Sequence, residues 1–130
     1  MITINQMTKQ DRDCSLDTLL DLDGQVLVVD PEGKHWVKFK IHRVDPSPQK
    51  PHGLDYSLTL HDEKGQRLVG FDNAHSVRES SGPSGKGRKR QDHKHRYRTV
   101  KPYEYSDAAA LLADFWAEVD AVLKEKGIIP

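Results

Sequence analysis

His35-Trp36-Val37-Lys38-Phe39-Lys40-Ile41-His42-Arg43-Val44 changes character at almost every step. Successive side chains of a β-strand point to opposite faces, so Val37, Phe39 and Ile41 are expected on one side and Trp36, Lys38, Lys40 and His42 on the other. The first face is core-like and the second polar and cationic. Just upstream, Gln25-Val26-Leu27-Val28-Val29 is apolar and β-branched, and Asp30-Pro31-Glu32-Gly33 between the two runs is a turn sequence. Together they predict an antiparallel hairpin.

Working outward, Asp45 to Gly53 holds three prolines, which cannot continue a hydrogen-bonded ladder, so it reads as a connecting loop. Leu54 to Leu60 resumes the alternation, with Leu54, Tyr56, Leu58 and Leu60 on one face. Asp62-Glu63-Lys64-Gly65 is a second turn, and Arg67 to Phe71 a fourth strand that directs Val69 and Phe71, or else Leu68, inward. Val100 to Tyr105 is a further short extended segment, limited by Pro102. Asp13 to Leu22 clusters Leu16, Leu19 and Leu20 on one side of a short helix. At the other end, Ser106 can cap a long helix in which Leu112, Phe115, Val119 and Val122 form a stripe, with Trp116 beside it and Gly127 as the stop. The expected fold is α+β: a four-stranded or slightly larger antiparallel meander with the C-terminal helix on one face, a short N-terminal helix, and the other face open.

The 130 residues suit a single domain, and 35% hydrophobic with 31% charged residues is the composition of a globular chain. No run of apolar residues is long enough to span a membrane, and Met1 to Asp13 lacks the basic start and apolar middle of a secretory signal, so a cytoplasmic protein without membrane contact is expected. The single cysteine, Cys14, cannot form an internal disulfide. The net charge of zero conceals a separation: between Arg78 and Lys101 nine basic residues face two acidic ones, a local +7, while the remaining eleven basic and eighteen acidic residues sum to −7. Within this block, residues 79–91 are rich in glycine, serine and basic residues and are expected to form a mobile loop that can collect phosphates.

Two short polar strings flank that loop: Asp72-Asn73-Ala74-His75 after the fourth strand and Asp92-His93-Lys94-His95-Arg96-Tyr97 beyond the loop. In an extended segment His93 and His95 share one face, with Lys94 and Arg96 opposite. Such a cluster suits metal-free cleavage of RNA by the substrate's own 2′-hydroxyl, which needs a base for the hydroxyl proton and an acid for the leaving 5′-oxygen; histidine serves in either state near neutral pH. Neighbouring lysine and arginine would hold the phosphate. A His-x-His pair with Asp72 or Asp92 is also a donor set for zinc or manganese, though the loop between the strings sets no ligand spacing; no metal and no cofactor is expected.

The same strings carry a family likeness. An aromatic-Asp-Asn-Ala run followed by His and a later His-Lys-His run, set between a strand and a C-terminal helix, resembles the TumE toxins of bacterial toxin–antitoxin systems, from about Val26 to Leu123. The sequence departs from that pattern in lacking a proline between Ala74 and His75, in having Asp92 where the second string begins with histidine, and in the length of its basic segment. The resemblance implies a growth-inhibiting protein neutralised by a cognate helix-turn-helix antitoxin, with ribonuclease activity as the expectation attached to the family; the catalytic set is then His75, His93 and His95 for proton transfer, with Asp72 orienting one imidazole. Arg88, Lys89, Arg90, Lys94, Arg96 and Arg98 would grip RNA and Tyr97 would stack on a base. The alternative is a non-catalytic nucleic-acid-binding regulatory module that uses residues 78–101 for phosphates alone. The sequence does not fix the oligomeric state, and a homodimer is compatible with it.

Overall fold

The structure is a computed structural model that describes residues 15–73 and 92–130. The described elements are α1 (Leu16–Asp21), β1 (Val26–Val28), β2 (Trp36–Arg43), β3 (Leu54–His61), β4 (Arg67–Asp72), β5 (Asp92–Arg96), β6 (Thr99–Tyr103) and α2 (Ala108–Glu125). The strands form one sheet in sequence order, every neighbouring pair antiparallel. The predicted meander is thus extended at its far edge by the hairpin β5–β6. Pro102 lies within β6, an outermost strand, where a missing backbone donor is tolerated.

The alternation of β2 and β3 translates directly into burial. Val37, Phe39 and Ile41 are buried together with Leu54, Tyr56, Leu58 and Leu60, while Lys38 and Lys40 are exposed. In β4 the sequence poses a choice between Leu68 and Val69 as the inward residue, and the structure buries both. Leu60 pairs with Val69 but His61 pairs with Arg67, so Leu68 is an extra residue at a bulge, and the broken alternation turns two consecutive side chains inward.

α2 lies over this apolar face. Phe115 meets Phe39 and Phe71 edge-on, with ring centroids 5.8 and 6.0 Å apart, the arrangement aromatic quadrupoles favour. Two details differ from expectation. The cap is Asp107, whose backbone is extended and whose carboxylate accepts the Ala110 N–H at 2.8 Å; Ser106 stands one residue too early to reach that group. The buried stripe runs through Ala108, Leu111, Phe115, Val119 and Val122, so Leu111 takes the core position and Leu112 is only partly buried. At the other end Gly127 adopts φ +75°, and the N–H groups of Gly127 and Ile128 bond the carbonyls of Lys124 and Leu123, closing the helix in a Schellman arrangement. α1 contributes Leu16 and Leu19 to the same core beside α2, so both described helices lie on one side of the sheet. Cys14 and the segment 79–91 lie outside the described residues.

Candidate functional site

Because β2 to β5 pair in regular register from Ser57 to Leu60 of β3 and Val69 to Asp72 of β4, the side chains facing away from the helices there fall into cross-strand rows. Lys38, Thr59, Gly70 and His95 make one row, and Lys40, Ser57, Asp72 and His93 the next. His93 and His95 therefore share the helix-free face with Asp72, their ring centroids 6.4 Å apart. This is the juxtaposition the strings suggested, and it is produced by the antiparallel return of the chain from β4 to β5. His75 lies outside the described residues, as do Arg88, Lys89 and Arg90.

Asp72 Oδ2 stands 3.1 Å from His95 Nε2, with both side chains about 15% exposed. A carboxylate at that distance selects the tautomer that donates from Nε2 and leaves the lone pair on Nδ1. Nδ1 is buried and has no hydrogen-bond partner among the described residues. Protonating the ring would bury an unmatched N–H, and the imidazole is in fact held below its ordinary pKa, first by burial and next by the Arg67 guanidinium; Asp72 opposes the shift without cancelling it. Arg67 lies close over Gly70 beside His95: a Cβ there would meet Arg67 Cδ at 3.2 Å and His95 Cδ2 at 3.5 Å, so the bare glycine gives the arginine room to lie across β4. Arg67 was not legible as a site residue in the sequence, since the bulge at Leu68 and the bare Gly70 are what turn it toward the histidine.

This arrangement has a consequence for stability. The folded chain keeps His95 neutral where the unfolded chain would protonate it, so stability is full above about pH 6.5 and falls as pH drops below that value toward the lowered folded-state pKa. His95→Gln is expected to flatten that limb, read as urea-unfolding midpoints between about pH 7 and pH 5.

The rest of the two strings divides between chemistry and architecture. Asn73 is 4% exposed: its Oδ1 accepts the Tyr56 N–H at 3.0 Å, its Nδ2 donates to the Leu54 carbonyl at 2.6 Å, and its own carbonyl accepts Lys50 Nζ at 2.9 Å. It is a clasp between β3 and the end of β4. Asp92, 6% exposed, points to the helix side and accepts the Tyr56 hydroxyl proton at 2.5 Å; burial and then this carboxylate raise the Tyr56 pKa. The first position of the second string is therefore on the opposite face from His93 and His95.

Lys94 and Arg96 also face α2. Lys94 Nζ is 3.7 Å from Glu118, and Arg96 bridges Glu118 at 3.1 Å and Glu125 at 3.0 Å. Tyr97 and Arg98 form the exposed two-residue turn of the β5–β6 hairpin. Tyr97 has φ +55°, a conformation costly to a bulky side chain, and its N–H is tied to the Leu68 carbonyl at 2.9 Å. Among the described residues, no group of three or more His, Cys, Asp or Glu side chains is arranged to hold a metal ion, and no helix is long and apolar enough to cross a membrane.

The family model described as Toxin TumE matches residues 22–123, from the turn before β1 into the last turns of α2. Neither curated proteins nor solved structures give a match.

Proposed function

We propose that this chain, which belongs to the TumE toxin family, is an antitoxin-neutralised endoribonuclease whose proton-transfer groups sit on the helix-free face of the sheet. A toxin of such a family implies an antitoxin partner; we assign that partner to the helix-turn-helix class. The observation that carries the enzymatic reading is the Asp72 carboxylate against His95, on the same face as His93 and beside Arg67.

In this mechanism the 2′-hydroxyl of RNA attacks the adjacent phosphorus, its proton passes to a base, and a second group protonates the departing 5′-oxygen, leaving a 2′,3′-cyclic phosphate and a free 5′-hydroxyl. His95, neutral and oriented by Asp72, is the base, and Nδ1 is the acceptor that the Asp72 contact leaves on its ring. His93 is the acid. Arg67 offsets the charge that builds on the phosphorane oxygens. His75 and the Arg88 to Arg90 cluster join as a further proton carrier and phosphate contacts, with Tyr97 and Arg98 at the hairpin tip as an RNA contact. Lys94 and Arg96 are proposed to act through their carboxylate ties, which hold β5 against α2, and to meet phosphate at their exposed sides.

The test is incubation of the purified chain, freed of antitoxin, with total cellular RNA in the presence and absence of EDTA. Cleavage that persists in chelator and yields cyclic-phosphate ends is expected. Failure to cut any cellular RNA, or cleavage that stops when metal is removed, overturns the reading.

A further inference from the structure

The face that carries the histidines continues past them. Between His93 and His95 on β5 and Lys38 and Lys40 on β2 the register places Ser57, Thr59, Gly70 and Asp72, with the Arg67 side chain lying over Gly70. Three of these four are small, so beside the Arg67 side chain a shallow trough crosses the sheet, about 14 Å from β5 to β2 at ordinary strand spacing. Its far wall is cationic. Lys38 and Lys40 are exposed, and neither they nor Arg67 form an ion pair among the described residues, whereas Lys50, Lys94 and Arg96 are each matched to a carboxylate. At one end of the trough Trp36 is half-buried and stacked on His61, ring centroids 6.3 Å apart at 20°; His61 is itself held by Thr59 Oγ1 at 2.9 Å.

Cations left without counter-ions beside a rigid aromatic pair are what single-stranded nucleic acid requires of a sheet surface: phosphates replace the missing anions, and a base stacks on the ring. We propose that this trough is a second RNA subsite, in which single-stranded RNA flanking the cleaved bond runs across the strands from His95 past Arg67 to Lys38 and Lys40, with one base on Trp36. The proposal rests on the ribonuclease reading for its substrate and adds to it a track on β2 and β3, outside both polar strings and the basic segment.

A labelled oligoribonucleotide made of 2′-O-methyl nucleotides, which cannot be cleaved by 2′-hydroxyl attack, separates binding from catalysis. Titrated against the full chain, Lys38→Gln/Lys40→Gln is expected to weaken binding about ten-fold and to lower the slope of log affinity against log salt by about 1.4, the value for two released counter-ions on a single strand. Trp36→Ala is expected to weaken binding about ten-fold with the salt slope unchanged, because stacking releases no ions. Lys124→Gln/Lys126→Gln, on the last turn and cap of α2, is the control for non-specific charge. Binding by the β2 variants equal to that of the parent, or no weaker than that of the control, overturns the proposal. If RNA is never cut but the 2′-O-methyl strand still binds and depends on Lys38, Lys40 and Trp36, the subsite stands and the ribonuclease reading falls. If RNA is cut and these residues do not matter, the reverse holds.

Discussion

His93→Ala/His95→Ala is expected to lower RNA cleavage by at least the roughly 10²–10⁴-fold that positioned acid and base groups contribute, and to abolish growth inhibition on expression, in a chain that still folds. Both side chains lie on the helix-free face and neither belongs to the apolar core. Strand β5 stays anchored without them through its pairing with β4 and β6 and through the ties of Lys94 and Arg96 to α2. The stability change expected at pH 7.5 is small, because the mutation also removes the unpaired buried Nδ1. Cleavage assayed by gel and stability by thermal melting on the same preparations separate the outcomes: undiminished cleavage would remove these histidines from the chemistry. Asp72→Asn probes the orienting contact. It retains size and hydrogen bonding but lets the amide accept or donate, so the tautomer of His95 is no longer selected and the rate falls while the melting temperature stays near that of the parent.

Asn73→Ala is expected to cost about 3 kcal/mol of folding stability, the largest stability change among the substitutions considered. The substitution leaves the Tyr56 N–H and the Leu54 carbonyl without partners in a buried setting, and each such group costs about 1–3 kcal/mol. Asn73→Asp is expected to be as damaging, since a carboxylate can accept from Tyr56 but repels the Leu54 carbonyl. Urea unfolding measures both. Wild-type stability in either variant would show that the clasp between β3 and β4 contributes little. Any loss of cleavage in these variants should follow the unfolded fraction, which distinguishes Asn73 from its neighbour Asp72 although the two share one string.

Much of the fold could be read along the chain because the determining signals are local. The two-residue period in β2 and β3, the turn sequences at Asp30 and Asp62 and the three- and four-residue spacing in α2 each depend on neighbours a few positions away. The differences between expectation and structure are also local. Ser106 and Asp107 are both good caps, and the choice depended on which of them keeps an extended backbone beside Ala110. Leu111 and Leu112 are adjacent on one helix, and the fold buries Leu111 in phase with Ala108 and Phe115.

The candidate site was legible by composition but not by role. A reading along the sequence sees two strings of similar polarity, whereas the sheet sorts their members by the parity of one antiparallel register. Asp72, His93 and His95 go to one face; Asp92, Lys94 and Arg96 go to the other, where carboxylates of α2 and the Tyr56 hydroxyl meet them. Arg67 enters through a bulge and a missing Cβ, features with no signature of their own in the order of residues.

What the sequence determined by itself is the set of elements and the chemistry available at their ends, because periodicity, turn propensity and side-chain pKa belong to short segments. The tertiary structure alone decided which polar groups meet, since Asp72 and His95 are 23 residues apart and are brought to 3.1 Å by the pairing of β4 with β5. A contact of that kind depends on register, and register depends on the whole sheet: a shift of one residue would send both histidines to the helix side.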